Sequence, residues 1–150
     1  MKFKMPVNAK TKKKKKPVKT KTKKVAESGV MKLWGKIVIE RARHQCEYPC
    51  CTVNFTQLHP HHYFNRKNKS VKYDPMNGIA LCHIHHTHGN QAAHLDPDFK
   101  EIWLASGKRP EGWIEELTKR KNQVVKDNDE YRLKWKQELL RELEYWSVPF

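Results

Sequence analysis

An α+β fold, mainly helical around a small strand-bearing core, follows from three observations on the 150-residue sequence. Apolar residues recur at three- and four-residue spacing near residues 28–43 and again beyond residue 96, the period of a helix with one buried face. Between these stretches lie VNFTQLHPHHYF and GIALC, short runs with the branched and aromatic content of strands. Residues 1–24 hold twelve lysines and no acid. They carry too little apolar surface to offset the entropy of ordering, so a disordered tail is expected there. Residues 25–150 are expected to form one domain, with its core near residues 44–95.

The formal charge of +15 belongs mostly to that tail, because residues 25–150 hold 19 basic against 16 acidic residues, a net +3. A flexible polycation suits a polyanion, with DNA or RNA first and an anionic membrane second. The plainer alternatives are a solubilising tail, or a nuclear-import signal in a eukaryotic host. The tail has no apolar run like that of a secretory signal, and no stretch of the chain is long enough to span a bilayer. A soluble, intracellular protein with no membrane partner is expected.

The elements follow in order. Val30, Leu33, Trp34, Ile37 and Val38 form one apolar stripe, with Ser28 as the expected cap of a helix running to about Arg43. CEYPCC, residues 46–51, is a tight turn, and residues 53–64 a strand arriving at His61 and His62. NRKNKSVKYDPMN reads as a loop and GIALC as a second strand. HIHHTHGNQAAH is expected to be a helix presenting ligands at successive turns. Asp96 then Pro97 marks a helix start and Gly107 a stop. Trp113, Ile114 and Leu117, then Leu139, Leu140 and Leu143, predict two helices separated or bent near KDND. The tryptophans sit within these helical patterns and read as core.

The cysteines and histidines carry the chemistry. Cys46, Cys50, Cys51 and Cys82 share the chain with nine histidines, and in a reducing compartment a zinc site is a better default than a disulfide framework. Cys46 with Cys51, then Cys82 with His85 at zinc-knuckle spacing, supply two ligand pairs for a tetrahedral site. On the residues alone, Cys50 competes with Cys51.

These residues resemble the HNH endonuclease family, whose fold is the ββα-metal nuclease core. CEYPCC is similar to the family's C-x-x-P-G-C turn with Cys50 in the glycine position, which makes Cys51 the ligand. HHYF resembles its strand bearing a metal ligand and then the general base. NGIALCHIHH resembles its N-L-x-x-L-C-x-x-C-H segment, from Asn77 to His86. The resemblance spans about residues 44–91, is of the small bacteriophage kind, and implies a bacterial or phage-infected cytoplasm.

It also implies roles. His61 and His86 are ligands of a catalytic divalent metal, with Asn90 as a third ligand one helical turn beyond His86. His62 is the general base and Asn77 braces the loop that orients it. Cys46, Cys51, Cys82 and His85 hold structural zinc. The catalytic ion is expected to be Mg²⁺, Mn²⁺ or Ni²⁺. His61 stands where many members have aspartate, and imidazole favours manganese, nickel or zinc over the harder magnesium ion. Arg66, Lys67, Lys69 and Lys72 are candidate DNA-phosphate contacts. His44, His59, His83 and His94 read as ordinary surface or core residues. The expected activity is metal-dependent hydrolysis of DNA phosphodiesters, with DNA as partner and no small-molecule substrate. The alternatives are a non-catalytic zinc module that binds nucleic acid and a junction-specific recombination nuclease of the same fold.

Overall fold

The structure, a computed structural model, describes residues 24–52 and 57–146. The tail expected to be disordered therefore lies, but for Lys24, outside the described residues, as do residues 53–56 of the expected first strand. The rest is α+β, with helices packed around a two-stranded antiparallel sheet.

Helix α1, Glu27–Arg41, buries Val30, Trp34, Ile37 and Val38, the predicted stripe. Its cap is Ala26 rather than Ser28, with no side-chain cap bond. The N–H of Val25, just before the helix, instead donates to Asp129 Oδ1 at 3.1 Å. The helix ends at Arg41, before Arg43 and His44 turn the chain with φ of 51° and 56°.

Strand β1, Leu58–His62, pairs antiparallel with β2, Gly78–Cys82, so that His62 faces Gly78 and Leu58 faces Cys82. All five residues of β2 are buried, because successive side chains point to opposite faces and both faces are covered. Ile79 and Leu81 enter a core with Phe99, Trp103, Trp113 and Leu117. Ala80 enters another core with Trp34, Val38, Tyr73 and Leu139. Gly78 is required by close approach, since a Cβ there would lie 2.2 Å from Val38 Cγ2.

Helices α2 (Phe99–Ala105), α3 (Trp113–Lys121) and α4 (Asp129–Trp146) complete the shell. Asp96 does not cap α2. Its side chain accepts from the Asp98 N–H at 2.9 Å, and the resulting turn delays the helix to Phe99. Gly107, at φ 67°, follows the end of α2 as expected of a stop. The segment around KDND separates α3 from α4. Trp34, Trp103 and Trp113 are core, and Trp135 and Trp146 are partly buried against α1.

Between β2 and α2 the expected long helix is absent. A single π-type turn, Ile84–His88, is followed by Gly89 in an extended conformation (φ −85°, ψ 161°), which breaks the helical path.

Candidate metal centres

The first cluster is assembled from three chain segments. Glu47 docks on the free edge of β2: its N–H donates to Ala80 O at 2.8 Å, and its Oε2 accepts from Ala80 N–H at 2.8 Å. Arg109 holds the other carboxylate oxygen at 2.5 Å, so the carboxylate is paired as well as hydrogen-bonded. This anchor sets Cys46 beside Cys82, whose N–H donates to Cys46 Sγ at 3.3 Å.

The chain then reverses at Tyr48-Pro49-Cys50-Cys51, closed by Cys51 N–H to Tyr48 O at 3.2 Å. Cys50 takes φ 57° there, the left-handed position a glycine ordinarily fills. It is exposed and outside the cluster, whereas Cys51 is in it.

His85, from the π turn, completes the set, 3.2 Å from Cys82 Sγ and 3.6 Å from Cys46 Sγ through Nδ1. Tyr48 stacks on its ring at 4.1 Å and 11°, fixing the ring plane. The four donor atoms of Cys46, Cys51, Cys82 and His85 lie within 4.8 Å of one another. Ligands of a tetrahedral thiolate–imidazole site stand about 3.5–3.8 Å apart. Burial pushes the Cys46 thiol up to about 12, so its proton leaves readily only when a cation compensates the charge. The donors fit a bound metal ion.

The second cluster opens on solvent. His61 sits on β1 and His86 on the π turn. After Gly89 the chain doubles back, with Ala92 N–H bonded to Gly89 O at 3.0 Å and Ala93 N–H to His85 O at 2.8 Å. This return brings His94 in, its Nε2 lying 3.2 Å from His86 Nε2. Donor atoms of His61, His86 and His94 fall within the same 4.8 Å limit. His94, read from sequence as an ordinary residue, therefore belongs to the cluster. Asn90 lies past the end of the turn and is exposed, so the one-turn relation to His86 does not hold. His59 also stacks near His86, at 5.4 Å between ring centres. His44 pairs with Glu40 on the surface and His83 is exposed, as expected of ordinary residues, and His88 is exposed as well.

Burial, then the neighbouring His94 and His86 rings, holds His61 down at about 3. Burial, then His94 and His59, holds His86 at about 4. Both rings are therefore neutral at pH 7, with lone pairs free to bind a cation. The cleft they line has a volume of about 540 Å³, and Arg66 and Lys100 are on its wall with no carboxylate.

His62 lies in the same cleft. Its ring stacks on Trp34 at 3.8 Å and 13°, and its Nε2 lies 2.9 Å from Lys72 O. A carbonyl only accepts, so Nε2 carries the proton and Nδ1 the lone pair. Burial lowers the His62 pKa, opposed by the bond to Lys72 O and aided by Arg66.

Asn77, wholly buried, braces both sides of the intervening loop. Its Oδ1 accepts from Phe64 N–H at 2.7 Å, and its Nδ2 donates to Phe64 O at 2.9 Å and Val71 O at 3.1 Å. It thereby fixes the residues after His62 and before Lys72 without touching the His62 ring.

Lys72 departs from its expected role as a phosphate contact. It is 7% exposed and ion-paired with Glu27 at 2.6 Å and Asp127 at 3.0 Å. Asp127 also binds Tyr73 OH at 3.1 Å and Arg132 Nε at 2.6 Å. This network, unforeseen from sequence, locks the segment whose carbonyl holds His62. Arg66, Lys67 and Lys69 are exposed.

No family model matches the chain, and no curated protein or solved structure matches it. What its own residues establish is an α+β fold with a three-cysteine, one-histidine cluster and a three-histidine cluster, each able to hold a metal ion. Among the described residues no helix is long and apolar enough to cross a membrane.

Proposed function

We propose that the chain is a metal-dependent DNA endonuclease of the HNH type, with His62 as general base. The observation that carries this reading is the pairing of His62, one ring nitrogen tied off on Lys72 O, with the His61–His86–His94 cluster in one cleft. A closed structural site does not need such a neighbouring, oriented imidazole.

In this reading His62 Nδ1 takes the proton of a water that adds to phosphorus as the bond to the 3′ oxygen breaks; solvent reprotonates the departing oxygen. Its lowered pKa keeps the ring unprotonated at neutral pH, as a general base must be. His61, His86 and His94 would hold a divalent cation, which would supply stabilisation of the charge developing on the phosphate. That donor set is all imidazole, which favours manganese, nickel or zinc over magnesium. Asn77 acts as a positioning residue, and Arg66, Lys67 and Lys69 contact backbone phosphates. The thiolate-rich cluster of Cys46, Cys51, Cys82 and His85 is assigned to structural zinc.

The test incubates purified protein with supercoiled plasmid and with branched DNA across Mg²⁺, Mn²⁺, Ni²⁺ and Zn²⁺. Cleavage that His62→Ala abolishes supports the reading. Cleavage by His62→Ala at the wild-type rate refutes the mechanism, and DNA binding with no cleavage under any ion returns the non-catalytic zinc module.

A further inference from the structure

Several cations in the described fold are ion-paired. Arg41 and Arg109 meet Glu47, Arg120 meets Asp74, and Lys72 and Arg132 share Asp127. Around the histidine cleft the pattern reverses. Lys100 on α2 lies 5.0 Å from the Tyr63 ring centre and 5.8 Å from that of Phe64. Lys121, the last residue of α3, lies 4.7 Å from the centre of the Phe64 ring. Arg66 stands on the cleft wall.

Among the described residues none of these three cations has a carboxylate within ion-pair distance. Lys100 and Lys121 repel one another, and burial and that repulsion lower the Lys100 pKa. The dipole of α3 favours a cation at its end and the rings attract ammonium groups, but neither neutralises charge. Uncompensated like charges brought together beside a cleft without acids mark the seat of an anion.

We infer that Lys100 and Lys121, together with Arg66, form a phosphate track that carries a DNA strand over the Phe64 ring into the histidine cleft. The inference rests on the nuclease reading and adds the direction from which the substrate enters. Cations from three separate chain segments, Arg66 and Lys100 on the cleft wall and Lys121 beside the Phe64 ring, suit a strand with one charge about every 3.4 Å of rise, whereas a lone phosphate would need them to converge. Neither lysine belongs to the stretch that resembles the HNH motif.

The test measures binding of a fluorescent short DNA duplex by anisotropy across a salt series, using full-length His62→Ala chains so that the probe stays whole. Lys100→Gln with Lys121→Gln is expected to make the slope of log K against log salt shallower by about 0.9 per lost contact, about 1.8 for the pair. Lys100→Arg with Lys121→Arg keeps the slope, and Lys119→Gln, an exposed neighbour of the same helix, leaves it unchanged. If the glutamine pair binds with the parental slope, the track is wrong while the nuclease reading stands. If Lys119→Gln alters the slope as much as either track lysine, the charge is diffuse and the track is again wrong. If the parent shows no salt-dependent binding, both readings fall together.

Discussion

The two clusters use overlapping ligand chemistry yet sit in opposite surroundings. Cys46, Cys51, Cys82 and His85 are drawn from three segments, with His85 stacked on Tyr48, Cys82 buried and the other three partly buried. His61, His86 and His94 line an open cleft, and His94 is exposed. Four ligands including thiolates leave a tetrahedral ion no vacant position, whereas three imidazoles leave room for water and substrate. On the proposed reading, exposure and ligand number, more than residue type, would separate a staple from a reactive centre.

The largest expected effect would break the closed side of that comparison. Cys82→Ser should abolish cooperative thermal unfolding followed by circular dichroism. Zinc in small domains contributes apparent binding energies of about 10–16 kcal/mol, against a total stability of about 5–15 kcal/mol. A variant that melts cooperatively at the wild-type temperature would show that the cluster is not a staple.

The open side should answer differently. His62→Ala should cut DNA about a hundred- to ten-thousand-fold more slowly while melting at nearly the wild-type temperature, because the proposed function puts chemistry and folding in separate centres. Loss of folding in this variant would erase the distinction.

His94→Ala sharpens it further. With the closed cluster filled with zinc, affinity of the open site for Ni²⁺ or Mn²⁺, read by chelator competition, should fall by at least the tenfold that loss of an outer-shell partner costs, roughly ten- to a hundredfold. Asn90→Ala should leave it unchanged, and the reverse result would restore Asn90 as ligand.

That pair of variants also shows where sequence was legible. The stripe of α1, the buried run of β2 and the knuckle spacing of Cys82 with His85 are local patterns, and local patterns survive folding. The preference for Cys51 over Cys50 rested on the resemblance, which put Cys50 in a glycine position, and a φ of 57° at Cys50 fits that position. His94 was not legible, because its place depends on a chain return of several residues after Gly89. Gly89 itself was the available signal, since a glycine there argues against continuing the helix to Asn90. Lys72 misled for another reason: its partners Glu27 and Asp127 are distant in sequence, and a charge in a polar loop looks solvated until they are placed.

A smaller effect probes the support of His62. Burial pushes the Asp127 carboxyl up, but Arg132, Lys72 and Tyr73 outweigh it and hold the pKa below 3.8. A depressed folded-state pKa contributes stability above the unfolded value and loses it as pH falls through the folded one. Asp127→Asn should therefore cost about 2–3 kcal/mol at pH 7, by urea denaturation, and the gap to wild type should close below about pH 4. A gap independent of pH would assign the effect to shape rather than charge.

The smallest effect concerns Cys50. Cys50→Gly should raise stability by up to about 1 kcal/mol, through relief of the left-handed strain, with zinc stoichiometry unchanged. Loss of zinc would mean that Cys50, not Cys51, is the ligand.

Strand β2 has a last consequence, for tolerance of insertion and deletion. Its neighbouring residues serve different cores, its first residue must pass Val38 without a Cβ, and its last supplies a thiol of the cysteine–histidine cluster. A shift of one residue would exchange the two sets of side chains and misplace both ends at once. Length variation should therefore accumulate in the exposed part of the 65–69 loop and between α3 and α4, while the five residues from Gly78 to Cys82 keep their number.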